Sequence, residues 1–156
     1  MTKKIAMLLM AATSLAFSAD LTIGSAGYQS DQWNANGANI EISRSLNWTT
    51  PFSGTAWVSW VQTGNSNDPN YVEVPVGTTV TFTHMFYVNG TPTGGSIQAM
   101  AADTAEIKLN GVVIRSMDTT FGADYYGCGD TFGCRFNTTA NVTITAAQLR
   151  SGLNKL

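Results

Sequence analysis

The groups best placed to do chemistry crowd into one excursion late in the chain. Cys128 and Cys134 stand in Tyr126-Gly-Cys-Gly-Asp-Thr-Phe-Gly-Cys134, with Asp118, Asp124 and Asp130 around them and Tyr125 beside Tyr126. Two thiols this close in an exported chain most simply form a disulfide that holds one surface loop in shape. A metal–thiolate site would need further sulfur or nitrogen ligands, and the single histidine, His84, lies far away in sequence. The three aspartates offer oxygens of the kind calcium takes, but calcium wants about six to eight of them and no EF-hand-like spacing is present. Asn65, Asn67 and Asp68 make a second oxygen-rich loop, for which plain turns are the simpler reading.

Little else suggests catalysis. The remaining acids fall in no arrangement that demands general acid–base work. His84 sits between Thr83 and Met85 in a strand-like run, where packing is the commoner role, and no Gly-x-Ser-x-Gly elbow occurs. The expectation is a protein without catalytic residues. Binding is the alternative chemistry. Trp33, Tyr71, Tyr125 and Tyr126 lie in or beside loops, where aromatic faces can stack on sugar rings. Tyr125-Tyr126, next to the cysteine loop, is the preferred contact patch, and covering one end of a β-sandwich is its plainer role.

The elements that would position these groups read as strands. The strongest signal is Ala-Glu-Ile-Lys-Leu-Asn-Gly-Val-Val-Ile-Arg over residues 105–115. Asn110-Gly111 there suits the two positive φ angles of a type I′ turn. Further strands are expected over residues 39–48, 55–61, 79–88, 96–102 and 141–145, separated by turns rich in Gly, Pro and Asn. Thr145-Ala-Ala-Gln148 has capping-box spacing and Gly152 fits the position after a helix, so one helical turn should precede Leu153. Eight or so strands patterned on both faces imply two packed sheets.

Composition agrees. Charged residues make up 12% of the chain against the usual figure of roughly 25%, and uncharged Thr, Ser, Asn and Gly replace them, as on extracellular β-sheet surfaces. Residues 1–18 have the plan of a signal peptide: Lys3-Lys4, an apolar stretch over residues 5–15, then the small-x-small site Ala16-Phe17-Ser18. Residues 19–156 then form a single domain. Removing Lys3 and Lys4 takes the net charge from −2 to −4 and leaves no basic cluster for nucleic acid. No apolar run in that mature chain approaches the roughly 18 residues of a membrane span.

Several stretches together resemble a known pattern. Ala56-Trp57-Val58-Ser59 follows a Pro-Phe-x-Gly lead-in, a long strand covers residues 82–86, residues 97–103 run into Ile107-Lys-Leu-Asn-Gly111, and Leu149-x-x-Gly-Leu-Asn154 closes the series. These are similar to the galactose-binding-like jelly rolls, above all to the N-terminal region of bacterial exported proteins with a C-terminal Pro-Glu-Pro sorting signal. The resemblance covers roughly residues 48–156. It implies an all-β, two-sheet antiparallel sandwich, in which one calcium ion is often held in a loop. It also implies a last strand running past Leu156, so the chain reads as truncated there, with an open sheet edge and no sorting signal. The function implied is structural or adhesive, at the bacterial cell surface or in extracellular matrix, with a glycan or other extracellular polymer as partner. A carbohydrate-binding module accessory to a hydrolase is the alternative, and a filament subunit that exchanges strands is a weaker one.

Overall fold

A computed structural model describes residues 21, 23–25, 34, 35, 37, 38, 40–75, 77–120 and 128–156. Among them the protein is all-β: ten short strands, two 3-10 turns and no α-helix. Every strand pair is antiparallel, and each pair forms its own two-stranded sheet.

The longest pair joins β6 (Gly94–Ala99) to β9 (Ala140–Thr145), with Ile97 opposite Val142 and Gln98 opposite Asn141. β9 shows why it forms. Ala140, Val142 and Ile144 are buried and Asn141, Thr143 and Thr145 are exposed, the strict alternation of a half-buried strand. β7 (Ile107–Leu109) and β8 (Val112–Arg115) make the expected hairpin. Asn110 and Gly111 have φ of 53° and 84°, the two positive angles that the turn requires. A bulge between Ile107 and Lys108 shifts the register beyond it.

Other strands are shorter than local propensity suggests. Within residues 79–88 only β5 (Met85–Val88) is a strand, because its partner β10 (Gly152–Lys155) supplies four residues; His84 and Leu156 add a reciprocal pair of backbone hydrogen bonds. Of residues 55–61 only β4 (Val58–Ser59) is a strand, against the equally short β3 (Ile40–Glu41). β1 (Asn34–Ala35) and β2 (Gly37–Ala38) pair with each other. The helical turn is present as a 3-10 turn at Ala146–Gln148, where the Thr145 N–H donates to Gln148 Oε1 at 2.7 Å. Residues 152–155 therefore form the expected strand after it, paired along its whole length.

One core cluster joins Trp57, Cys128 and Cys134, with Ile42, Trp48 and Met100 packed against it. Of the two tryptophans that flank β4, Trp57 is buried and Trp60 half-buried. Trp57 lies 4.8 Å from Trp48 between ring centroids, and its indole N–H donates to the Thr49 carbonyl at 2.9 Å. His84 is also buried, its ring parallel to that of Phe86 at 6.3 Å.

Candidate functional site

Cys128 and Cys134 are joined in a disulfide, as their spacing implied. The segment they close reaches the surface only at Asp130 and Thr131. Cys134 is 0%, Phe132 1% and Cys128 4% exposed, among the most buried side chains described. A six-residue separation cannot by itself say which way a loop faces; Phe132 decides it by turning inward. The Thr49 N–H donates to the Cys134 carbonyl and the Ala101 N–H to that of Gly133, so the segment is stitched to two distant parts of the chain.

Asp118 holds this segment from the other side. Its carboxylate is buried and takes four hydrogen bonds: Oδ1 from the N–H and hydroxyl of Thr120, Oδ2 from the N–H and hydroxyl of Thr131, at 2.6–3.0 Å. The backbone N–H groups of Thr120 and Thr131 hold the carboxyl well below the usual carboxylate range, with both hydroxyls adding to the effect. Arg115 reaches the same place: its guanidinium donates to the Thr131 carbonyl and hydroxyl and lies 5.9 Å from the centre of the Phe132 ring. The Asp118 N–H in turn donates to the Thr104 hydroxyl. With two donors on each oxygen, this carboxylate is already bound within its own fold.

Of the other expected site residues, the structure describes Asp130 and Tyr71. Asp130 is exposed, and its backbone N–H donates to the Thr120 carbonyl at 3.2 Å. Asp124, Tyr125, Tyr126 and Trp33 lie outside the described residues. Tyr71 is exposed at the end of the 64–70 loop. That loop is a run of turns: Asn65 Oδ1 accepts from the Asn67 N–H, and Asp68 Oδ1 from the Asn70 N–H. Asp68 Oδ2 accepts from the Ser43 hydroxyl and the Gln62 amide, and the Asn70 N–H, then Ser43, lower its carboxyl pKa. Among the described residues no three of His, Cys, Asp and Glu gather into a metal-holding group, and no helix is long and apolar enough to cross a membrane.

A second polar assembly involves residues that sequence reasoning placed only in turns. Asn154, 0% exposed, accepts from the Asn110 side-chain amide and the Arg150 N–H, and donates to the carbonyls of Arg150 and Gly152, all at 2.8–3.0 Å. Asn110 also donates to the Gln148 carbonyl, while its backbone N–H and side-chain oxygen engage the Lys155 carbonyl and N–H. The hairpin turn is thus docked on the turn that starts β10. An Asn-Gly dipeptide and a Gly-Leu-Asn turn are each legible, but their meeting across 44 residues is not.

The third feature was missed in the sequence. A shallow groove of about 330 Å³ lies over the β6–β9 pair, lined on the strands by residues 96–98 and 141–143 and on its walls by Ile23, Phe52, Ser53 and Thr55. Comparison with protein-family models, with curated proteins and with solved structures finds no match to this chain.

Proposed function

We propose that this chain is an exported, non-catalytic β-sandwich of jelly-roll type, resembling the galactose-binding-like domains, with a structural or adhesive role at the bacterial cell surface or in extracellular matrix. One observation carries the reading. The groups in the described chain most able to do chemistry, the cysteines and Asp118, are spent on fixing the fold. A buried disulfide forms in an oxidising compartment, and the signal-like residues 1–18 supply the route there. Glycan binding, with or without an attached hydrolase, is the second reading, favoured by the groove over β6 and β9. Strand exchange between copies is weaker, because β5 lies on one side of β10 and Asn110 meets Lys155 on the other.

The test is to express the full chain with its own N-terminus in a bacterial host, fractionate the cells and weigh the intact protein. The expected product lies outside the cytoplasm, lacks residues 1–18 and is lighter by two hydrogens than its reduced form. A full-length cytoplasmic product with both thiols free would overturn the reading.

A further inference from the structure

Three Asn-Gly pairs occur in the chain, at residues 36–37, 89–90 and 110–111. Asn36 lies outside the described residues, and the other two pairs make a natural comparison. Their glycines are nearly matched. Gly90 and Gly111 have φ of 85° and 84°, and neither has an atom within 4 Å of where a Cβ would stand. Each asparagine therefore precedes a backbone nitrogen that no side chain screens. What differs is the hold on the asparagine.

Asn110 is half-buried, and three hydrogen bonds fix its side chain. Its Nδ2 donates to the Gln148 carbonyl and to Asn154 Oδ1, and its Oδ1 accepts from the Lys155 N–H, at 2.9–3.1 Å. Asn89 is exposed, and among the described residues its side chain makes no hydrogen bond. It follows β5, whose ladder ends with Val88 opposite Gly152. It leads into a bend at Gly90 and Thr91 that no backbone hydrogen bond closes among the described residues.

That difference governs a reaction. When an asparagine carboxamide swings over the next residue's backbone nitrogen, the nitrogen can attack Cγ. The new N–Cγ bond closes a succinimide ring as the Cγ–Nδ2 bond breaks. The backbone N–H proton passes through solvent to the departing nitrogen, which leaves as ammonia. Water then adds to one ring carbonyl or the other and opens the ring, giving aspartate or isoaspartate. Nothing is oxidised or reduced, and water is the only co-reactant. At Asn89 only rotation of a solvent-facing side chain and its bend separates the resting geometry from attack. At Asn110 the same rotation must first break three hydrogen bonds, one of them to Asn154, which is 0% exposed. Their combined loss makes the reactive rotamer roughly a hundredfold rarer.

We infer that Asn89 is a site of spontaneous deamidation, and that the dock on Asn154 protects Asn110 from the same reaction. Residues 74–102 contain no Asp, Glu, Lys or Arg, so the product becomes the only carboxylate in that stretch. It adds one negative charge to a chain whose net charge is −2. The isoaspartate form also inserts a methylene into the backbone between β5 and β6, where the chain passes from one sheet to another. An acidic form of the protein thus accumulates with age. The inference is independent of the adhesive reading, since the reaction needs no partner but water.

Peptide mapping by mass spectrometry of the oxidised full chain, held in warm, mildly alkaline buffer, tests it. Each converted asparagine gains the mass difference between OH and NH2. Asn89 should convert over days to both products, and Asn110 roughly a hundredfold more slowly. In concentrated urea with the disulfide reduced, the two should react at similar rates, which assigns the difference to the fold. Asn154→Ala should speed conversion at Asn110 roughly fivefold, the loss of one hydrogen bond, and leave Asn89 unchanged. Equal rates at the two sites in the folded chain would overturn the inference. So would an Asn89 that stays intact in the folded chain while the unfolded chain reacts. An Asn110 rate indifferent to Asn154→Ala would overturn the protection by the dock. Circular dichroism checks that this variant folds; if it does not, the comparison of the parent folded and in urea decides alone.

Discussion

Asp118 and Asn154 do similar work in two regions by different chemistry. Each is a buried polar side chain with four hydrogen bonds, and each ties down chain that lacks regular strand pairing. Asp118 only accepts. It suits the disulfide segment, where the N–H groups of Thr120 and Thr131 need acceptors. Asn154 accepts and donates at once. It suits the start of β10, where Arg150 presents both a free N–H and a free carbonyl. The first assembly depends on a charge and a covalent link, and the second on neither. The disulfide region should therefore respond to acid and reductant, and the Asn110–Asn154 dock should not.

The largest break should come inside the disulfide segment. Gly133 lies against Gly129, and a Cβ there would strike the Gly129 carbonyl oxygen and approach its nitrogen to 2.7 Å. Both are backbone atoms in a segment closed by the Cys128–Cys134 bond, so neither can move aside cheaply. Gly133→Ala should cost about 4 kcal/mol, among the larger single-residue effects. It should lower the urea midpoint at constant m and expose the thiols to reductant. An unchanged midpoint would show that the segment is more yielding than its packing implies.

Breaking the neutral assembly should cost somewhat less. Asn154→Ala removes four hydrogen bonds, strands the Arg150 N–H and leaves the Asn110 amide only its bond to the Gln148 carbonyl, for a loss of about 3 kcal/mol. Exchange of the Lys155 and Asn110 amide protons should accelerate, while that of Thr131 stays slow. Equal acceleration in both regions would mean that they unfold as one unit and would remove the contrast.

What the sequence disclosed follows the range of the forces involved. The Asn110-Gly111 turn and the Thr145–Gln148 cap obey rules confined to a few residues, and both are present. Strand length obeys no such rule. Residues 79–84 are richer in β-branched side chains than β5, yet residues 152–156 offer partners only as far back as His84. The disulfide was legible from spacing, whereas its burial depends on Phe132 and on the distant Thr49 and Ala101. Asp118 with Thr120 could be read as a local Asx-type turn. Thr131, which makes that turn a clamp, lies 13 residues on. The Gln98–Asn141 pair needed the β6–β9 register, which links residues 43 apart.

Acid is the gentlest way to separate the two regions. The folded pKa of Asp118 lies below its unfolded value, so on acidification the unfolded chain takes up this proton first. The stability this group supplies is complete above about pH 5, and drains away as the pH falls through the unfolded value near 4 toward the folded one. Asp103 acts in the opposite sense: burial raises its carboxyl pKa, so its contribution is lost as pH rises through that folded value. At the low end of the titration the Asp118 contribution should dominate, because four donors face that one carboxylate. Between pH 5 and 3 the exchange of the Thr120 and Thr131 amides should quicken relative to those of Arg150 and Lys155. Asp118→Asn should flatten that difference, since its amide keeps one acceptor oxygen but has no charge to titrate. If the same difference persists in Asp118→Asn, the acid response belongs to another carboxylate and the assignment of the clamp to Asp118 is wrong.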